Sequence, residues 1–269
     1  MEWFEAVILG LIQGLTEFLP VSSSGHLEIG KVLLGVETTD DLMFTTMVHA
    51  ATVLSTIVVF RKQIFGLLKG LFKFRYNDET DYLFKIAVSI IPVMIVGLFF
   101  KDQVEALFGS VKVVGCALLL TSALLFFSDL SSRPGGSVQK PDSEARNGIS
   151  YWQAFVVGLA QALAVVPGLS RSGTTISTGL ICGVRREVMA QFSFLMVLIP
   201  ILGESFLELV GGEFASSAVG VLPLFLGFVS AFVSGLFACK VMIALVKKAK
   251  LSWFAIYCLV AAAAIFIFA

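Results

Sequence analysis

Six largely apolar runs of 17 to 26 residues (42–60, 83–100, 111–127, 188–210, 221–246 and 253–269) set the terms on which this chain can fold. A helix needs about 20 such residues to cross the hydrocarbon of a bilayer, within a range of roughly 17 to 25. In lipid only helices and closed barrels satisfy their own backbone polar groups. Barrel strands would appear as short alternating segments rather than unbroken runs. The chain therefore reads as an all-α polytopic membrane protein with six transmembrane helices. Its charged residues are 14% of the total, against about 25% for a soluble domain. Nineteen basic residues balance nineteen acidic ones without a basic block, which excludes nucleic acid as a partner and disorder as a state. The four cysteines stand singly within apolar runs and read as small buried hydrophobes.

Two further apolar regions do not fit a simple span. Residues 3–36 and 151–184 each divide into two short helices around a polar centre, PVSSSGH in the first and PGLSRSGTT in the second. Irregular backbone at membrane depth survives only where protein or a watery cavity surrounds it, so both regions are expected to be re-entrant helix pairs. The first does not read as a cleavable signal, because no basic segment precedes it and Gln13, Thr16 and Glu17 interrupt it. Basic residues gather in alternate loops: Arg61, Lys62, Lys69, Lys73 and Arg75, then Arg133, Lys140 and Arg146, then Arg185 and Arg186, then Lys247, Lys248 and Lys250. The positive-inside rule puts those loops in the cytoplasm. The first re-entrant pair then enters from outside, the second from the cytoplasm, and the C-terminus ends outside.

The two re-entrant regions are copies. A shift of 148 lays residues 6–25 on 154–173 without a gap and gives eight identities in twenty, including Gln13/Gln161, Ser22/Ser170, Ser24/Ser172 and Gly25/Gly173. With the copies on opposite sides, the expectation is one membrane domain, 1–269, built as an inverted-topology repeat. The first repeat covers 1–127 and the second 151–269, with a polar linker at 128–150 acting as a hinge. In such folds the site lies where the two broken helices meet.

The copies differ at the tips. Glu17 faces Val165 in the alignment and Ser23 faces Arg171, so one tip carries a carboxylate, Ser22, Ser23, Ser24 and His26, and the other carries Arg171 among Ser170, Ser172, Thr174 and Thr175. Ionisable groups at this depth are functional candidates. An Arg fork, hydroxyls and a helix N-terminus suit phosphate oxygens. Glu17 suits a divalent cation or a base, and His26, three residues beyond Ser23, suits a base or acid. Together they suggest phosphoryl chemistry on a lipid headgroup. Plainer readings stand beside this one. Glu17 and Arg171 would also make a structural ion pair. Ser22, Ser24, Ser170 and Ser172 would also cap helices, and Gln13, one turn before Glu17, would also serve packing. His49 reads as a core or cavity-lining histidine, and Glu204 and Glu208 as interfacial.

QGLTEFLPVSSSGH at 13–26 and PGLSRSGTT at 167–175 resemble the two signatures of the undecaprenyl-diphosphate phosphatases, the bacitracin-resistance family, and RREVMAQFSF at 185–194 is similar as well. The resemblance covers nearly the whole chain and departs from neither signature. It implies a multi-pass hydrolase of the bacterial cytoplasmic (inner) membrane that cuts the terminal phosphate from undecaprenyl diphosphate on the outer face. That reaction recycles the lipid carrier for cell-wall synthesis and confers bacitracin resistance. It also implies a divalent cation, Mg or Ca. The catalytic set it implies is Glu17, Ser23, His26 and Arg171, with Ser24, Ser170, Ser172 and Thr175 on the phosphate and Glu17 with Gln13 on the metal. The residues leave the nucleophile open between Ser23, His26 and water, and the oligomeric state open between monomer and homodimer.

Two other classes share parts of this pattern. A membrane phosphatase of the acid-phosphatase type also uses SGH and a later Ser-Arg, but the position six beyond Arg171 is Ser177 rather than His, and no Asp follows. A transporter or flippase of an anionic polyprenyl lipid would share the inverted repeat, the Arg and the hydroxyls; it has no need of Glu17, Ser23 and His26 beside them.

Overall fold

The computed structural model describes residues 1–36, 42–107, 110–131, 145–203, 219–248 and 250–268. Among these the chain is helical throughout, without strands. In order, the helices are α1 (Trp3–Thr16), α2 (Ser23–Leu34), α3 (Leu42–Val59), α4 (Arg61–Leu71), α5 (Asp78–Phe99), α6 (Lys101–Glu105), α7 (Val111–Ser131), α8 (Tyr151–Leu163), α9 (Arg171–Ile181), α10 (Arg186–Met196), α11 (Val221–Lys248) and α12 (Ser252–Phe268). A 3₁₀ turn, Arg146–Gly148, precedes α8. The hinge expected at 128–150 falls mostly, and Glu204 and Glu208 fall wholly, outside the described residues.

Four stretches are long and apolar enough to cross a bilayer: Asp78–Phe99, Val111–Ser131, Arg186–Gly203 and Val221–Val246. The run at 42–60 yields a fifth only together with α4, into which it bends by 75°. The run at 253–269 forms a shorter apolar helix. Helix α4 was not expected, because its basic residues read as a loop. In it Ile64, Leu67 and Leu68 interleave with Arg61, Lys62 and Lys69, the pattern of a helix with one apolar face. Leucine, isoleucine and phenylalanine also cover much of the outer surface, Leu98, Phe237 and Ile267 among them. That is the inverse of a soluble surface and marks a membrane protein.

Both regions break at their polar centres, α1 from α2 and α8 from α9. Each first arm opens on a capping box at equivalent positions, Glu2 with Glu5 in α1 and Ser150 with Gln153 in α8. Each second arm is capped by an equivalent serine: Ser22 Oγ accepts the Gly25 N–H, and Ser170 Oγ accepts the Gly173 N–H. The two serine caps satisfy buried N–H groups. Within each pair the arms pack on each other, α1 on α2 and α8 on α9.

Partners also exchange between halves. Helix α1 lies along α11 and α8 along α5; α3 packs on α11 and α10 on α5. Glycines allow both long contacts. A Cβ on Gly10 would stand 2.4 Å from the Gly227 carbonyl oxygen, and one on Gly158 would stand 2.3 Å from that of Ser89. The obstacle is backbone in both cases, so neither contact can yield by a rotamer change. Gly158→Val is therefore expected to destabilise the protein by about 1–3 kcal/mol, read as a lower thermal midpoint in detergent. Wild-type stability for this variant would refute the close contact.

Two clusters of charged groups inside the bundle are paired. Lys85 Nζ lies 2.6 Å from Asp81 Oδ2, both side chains almost wholly buried, and Lys85 also donates to the Arg146 carbonyl at 2.5 Å. The Tyr76 and Tyr151 hydroxyls donate to Asp81 Oδ1, so this network joins α5 to the start of α8. Asp129 of α7 similarly accepts from Arg186 at 2.6 Å and from the Ser252 hydroxyl at 2.6 Å, tying α7, α10 and α12.

Candidate active site

The breaks in the two helix pairs meet and interlock. Ser24 Oγ accepts the Gly168 N–H at 3.4 Å, while Ser172 Oγ donates to the Leu19 carbonyl at 3.2 Å. Ser24 and Ser172 are equivalent residues of the two copies, and each reaches the backbone of the opposite tip. Gly168 sits at φ +90°, and a Cβ there would stand 2.6 Å from Val114 Cα. Glycine is required for both reasons. The cap bonds belong to Ser22 and Ser170, so the repeated serines divide into one that ends a helix and one that joins the tips. The second tip is anchored further by the Ser170 N–H donating to Thr121 Oγ1 at 3.1 Å, and by Thr175 Oγ1 meeting Ser193 Oγ at 2.7 Å.

This interlock puts Glu17 and Arg171 on one cavity, lined also by Phe18, Thr52, Thr56 and Ser172. Glu17 Oε2 accepts from Ser23 Oγ at 2.5 Å and from Gln13 Nε2 at 3.0 Å. The first contact is as short as charge-assisted O–H···O⁻ bonds become. Arg171, the first residue of α9, has no carboxylate within 4.0 Å among the described residues. A locked structural pair is therefore not what the two tips form. Arg171 and Ser172, the first two residues of α9, line the cavity instead, an arrangement that suits phosphate.

Both histidines lie by the first tip, held by different contacts. Ser23 turns its hydroxyl to Glu17 rather than to His26. The His26 ring has Nδ1 2.7 Å from the Ser22 carbonyl and Nε2 2.6 Å from the Tyr257 hydroxyl, and it stacks on the Tyr257 ring with centroids 5.6 Å apart. His49, read as a core or cavity-lining residue, brings Nε2 to 3.9 Å from Glu17 Oε2. Tyr257 and His49 both sit within apolar helices, and neither carries a local signal linking it to the tips. Their roles rest on tertiary contact.

For a divalent cation the donor set is lean. Among the described residues no three His, Cys, Asp or Glu side chains cluster, so an all-protein cage is not present. Gln13 is nonetheless fully buried with its Oε1 unpartnered beside Glu17. One carboxylate and one amide oxygen next to a phosphate-binding tip fit an ion that takes its remaining oxygens from substrate and water.

Comparison with known proteins places these features in context. The family model described as Bacitracin resistance protein BacA matches residues 6–264. A protein of Bacteroides fragilis named undecaprenyl-diphosphatase is 56% identical over 262 residues, covering 96% of this chain and 95% of its own. One of the same name from Bacteroides thetaiotaomicron is 55% identical over 271 residues, 99% of each chain. A protein of that name from Methanosphaera stadtmanae is 35% identical over 273 residues, 96% of this chain and 95% of its own.

Proposed function

The chain belongs to the BacA bacitracin-resistance family, and from that premise we propose that the paired tips remove the terminal phosphate of undecaprenyl diphosphate. The protein is an undecaprenyl-diphosphate phosphatase, a hydrolase of a phosphoric anhydride. The single observation that carries the assignment to this cavity is the Ser23–Glu17 bond of 2.5 Å beside an Arg171 without an ion-pair partner among the described residues.

The chemistry follows from those positions. Arg171 and the α9 N-terminus hold the terminal phosphoryl oxygens, with Ser170, Ser172 and Thr175 fixing the tip around them. Ser23 Oγ attacks the terminal phosphorus while Glu17 Oε2 takes its proton. The bond from that phosphorus to the bridging oxygen breaks, and its electron pair leaves with undecaprenyl phosphate. Glu17 gives that proton to the departing oxygen, then, ionised again, takes one from the water that attacks the phosphoserine and returns it to Ser23 Oγ as inorganic phosphate departs. His26 belongs to the same tip, its ring held between the Ser22 carbonyl and Tyr257, and on this reading it backs Glu17 as a second acid and base. When bound, a divalent cation, Mg or Ca, held by Glu17 and Gln13 Oε1 would neutralise charge on the phosphate oxygens.

The same reading places the protein in the bacterial inner membrane with this cavity open to the outer face, where the reaction returns the lipid carrier to wall synthesis and removes the diphosphate that bacitracin sequesters. It also takes the fold as six spans and two re-entrant pairs in an inverted repeat. What supports the repeat is the exchange of partners: α1 with α11 answers α8 with α5, and Ser24 to Gly168 answers Ser172 to Leu19. Broken helices in an inverted repeat also suit a transporter or flippase. The Ser23–Glu17 pair is what favours hydrolysis, since moving a lipid needs no activated hydroxyl.

Purified protein is expected to release phosphate from a polyprenyl diphosphate and to lose that activity with a chelator, regaining it with Mg²⁺. No release under any of these conditions would favour the transporter.

A further inference from the structure

Both ring nitrogens of His26 are taken. Nδ1 lies 2.7 Å from the Ser22 carbonyl and Nε2 lies 2.6 Å from the Tyr257 hydroxyl. A carbonyl only accepts, so Nδ1 carries the hydrogen, and the lone pair of the neutral ring sits at Nε2, where the phenol O–H donates. The Ser22 carbonyl has no hydrogen to hand on. The hydroxyl differs, because it both gives and receives a proton. Packing fixes the phenol in this place. Its ring stacks on the imidazole with 14° between the planes. Two residues before it on α12, the Ala255 carbonyl accepts from Ser122 Oγ of α7 at 2.7 Å. One residue after it, Cys258 Sγ donates to the Pro20 carbonyl of the first tip at 3.6 Å. Tyr257 itself is half-exposed, and its oxygen makes no hydrogen bond other than those to the described residues just named.

We infer that Tyr257 is the positioning residue and proton relay of His26: its hydroxyl fixes the Nδ1–H tautomer, and every proton that His26 exchanges with the reaction passes through it. The exchange balances. A proton reaching the phenol oxygen is matched by the phenol's own proton passing to Nε2, so the phenol stays neutral and the imidazole becomes imidazolium. The reverse shift delivers a proton outward and restores the neutral ring. Only O–H and N–H bonds change. The inference rests on the phosphatase reading, in which His26 serves as second acid and base, and it adds to that reading a residue far along the chain on α12.

The experiment compares purified full-length wild type, Tyr257→Phe and His26→Gln by turnover of a polyprenyl diphosphate and by NMR of protein labelled at the histidine nitrogens. Phenylalanine keeps the stacked ring and removes only the hydroxyl. Tyr257→Phe is expected to lower kcat by about as much as His26→Gln, about 10²-fold, with KM and melting temperature close to wild type. The double variant should be no slower than the worse of the two, since groups acting as a unit are lost together. The chain has two histidines, so the signal missing from His26→Gln identifies His26. It should report a neutral Nδ1–H ring in the wild type, and its Nε2 resonance should shift in Tyr257→Phe while that of His49 stays. A wild-type kcat for Tyr257→Phe would overturn the proposal, because packing alone would then explain the contact. So would a wild-type His26 in the Nε2–H form. Should Tyr257→Phe not fold, the wild-type spectrum decides: an Nε2 that accepts a hydrogen bond supports the relay, and a free Nε2 refutes it. Equal turnover by wild type and Tyr257→Phe would sink this inference alone. No release by a wild type whose His26 Nε2 carries the phenol bond would sink the phosphatase reading instead.

Discussion

Arg171→Ala is expected to lower kcat for phosphate release from a polyprenyl diphosphate by at least about 10²–10³-fold, in a protein that melts like the wild type. The two halves of that expectation come from different observations. The catalytic loss follows from position: the guanidinium borders the cavity with Glu17 and has no carboxylate within ion-pair distance among the described residues, so its charge is available to the phosphoryl group. The unchanged stability follows from what holds the tip. The α9 cap is the Ser170 hydroxyl, the Ser170 N–H is held by Thr121, and Ser172 reaches Leu19; none of these bonds uses the Arg171 side chain. Arg171→Lys should fall between wild type and alanine, because it restores the charge without the planar fork. A drop in melting temperature as large as that of a core variant would mean that Arg171 holds the tips together. A wild-type rate for Arg171→Ala would remove the cavity from consideration as the phosphate site.

Some of this was legible in the sequence because it is local. Apolar runs announce membrane helices wherever they occur, and the shift of 148 made the two tips visible as copies. The repeat even carried roles across changed residue types: Glu2 and Ser150 share no side-chain chemistry beyond an acceptor oxygen, yet each opens its arm with the same box. Legibility stopped where contact is between distant segments. Spacing puts His26 one turn from Ser23, and both do lie at the start of α2. Nothing in the spacing reveals that Tyr257, far along the chain, holds the ring. Nothing reveals either that α3 brings His49 to Glu17. The glutamines make the same point. Gln13 and Gln161 are identical in sequence and equivalent in the repeat. Gln13 bonds Glu17, whereas Gln161, opposite Val165 in the other arm, is buried with both amide atoms unpartnered. Helix α4 was missed for a physical reason too, since its basic residues and its apolar face alternate at helical spacing and a run-length reading sees only the charges.

Ser23→Ala and Glu17→Gln should each lower kcat by about 10²–10⁴-fold, and the double variant should be no slower than the worse of the two. Groups that act as a unit lose their effect together rather than additively. The 2.5 Å bond makes Ser23 and Glu17 such a unit: an alanine leaves the carboxylate nothing to deprotonate, and a glutamine leaves the hydroxyl without a base. Neither change should disturb α2, whose cap is the Ser22 hydroxyl accepting the Gly25 N–H. The cycle also separates this mechanism from direct attack by water. If water were the nucleophile and Glu17 its base or metal ligand, Ser23 would only help to orient the carboxylate. Ser23→Ala would then cost little, and the remaining loss in the double variant would track Glu17→Gln alone. Rapid-quench labelling from a polyprenyl diphosphate carrying a radiolabelled terminal phosphate gives the second reading. Label retained on wild-type protein in acid and absent from Ser23→Ala places the phosphoryl group on the serine. Full turnover by Ser23→Ala, or no label on the wild type at any time within the first turnover, would rule the serine out.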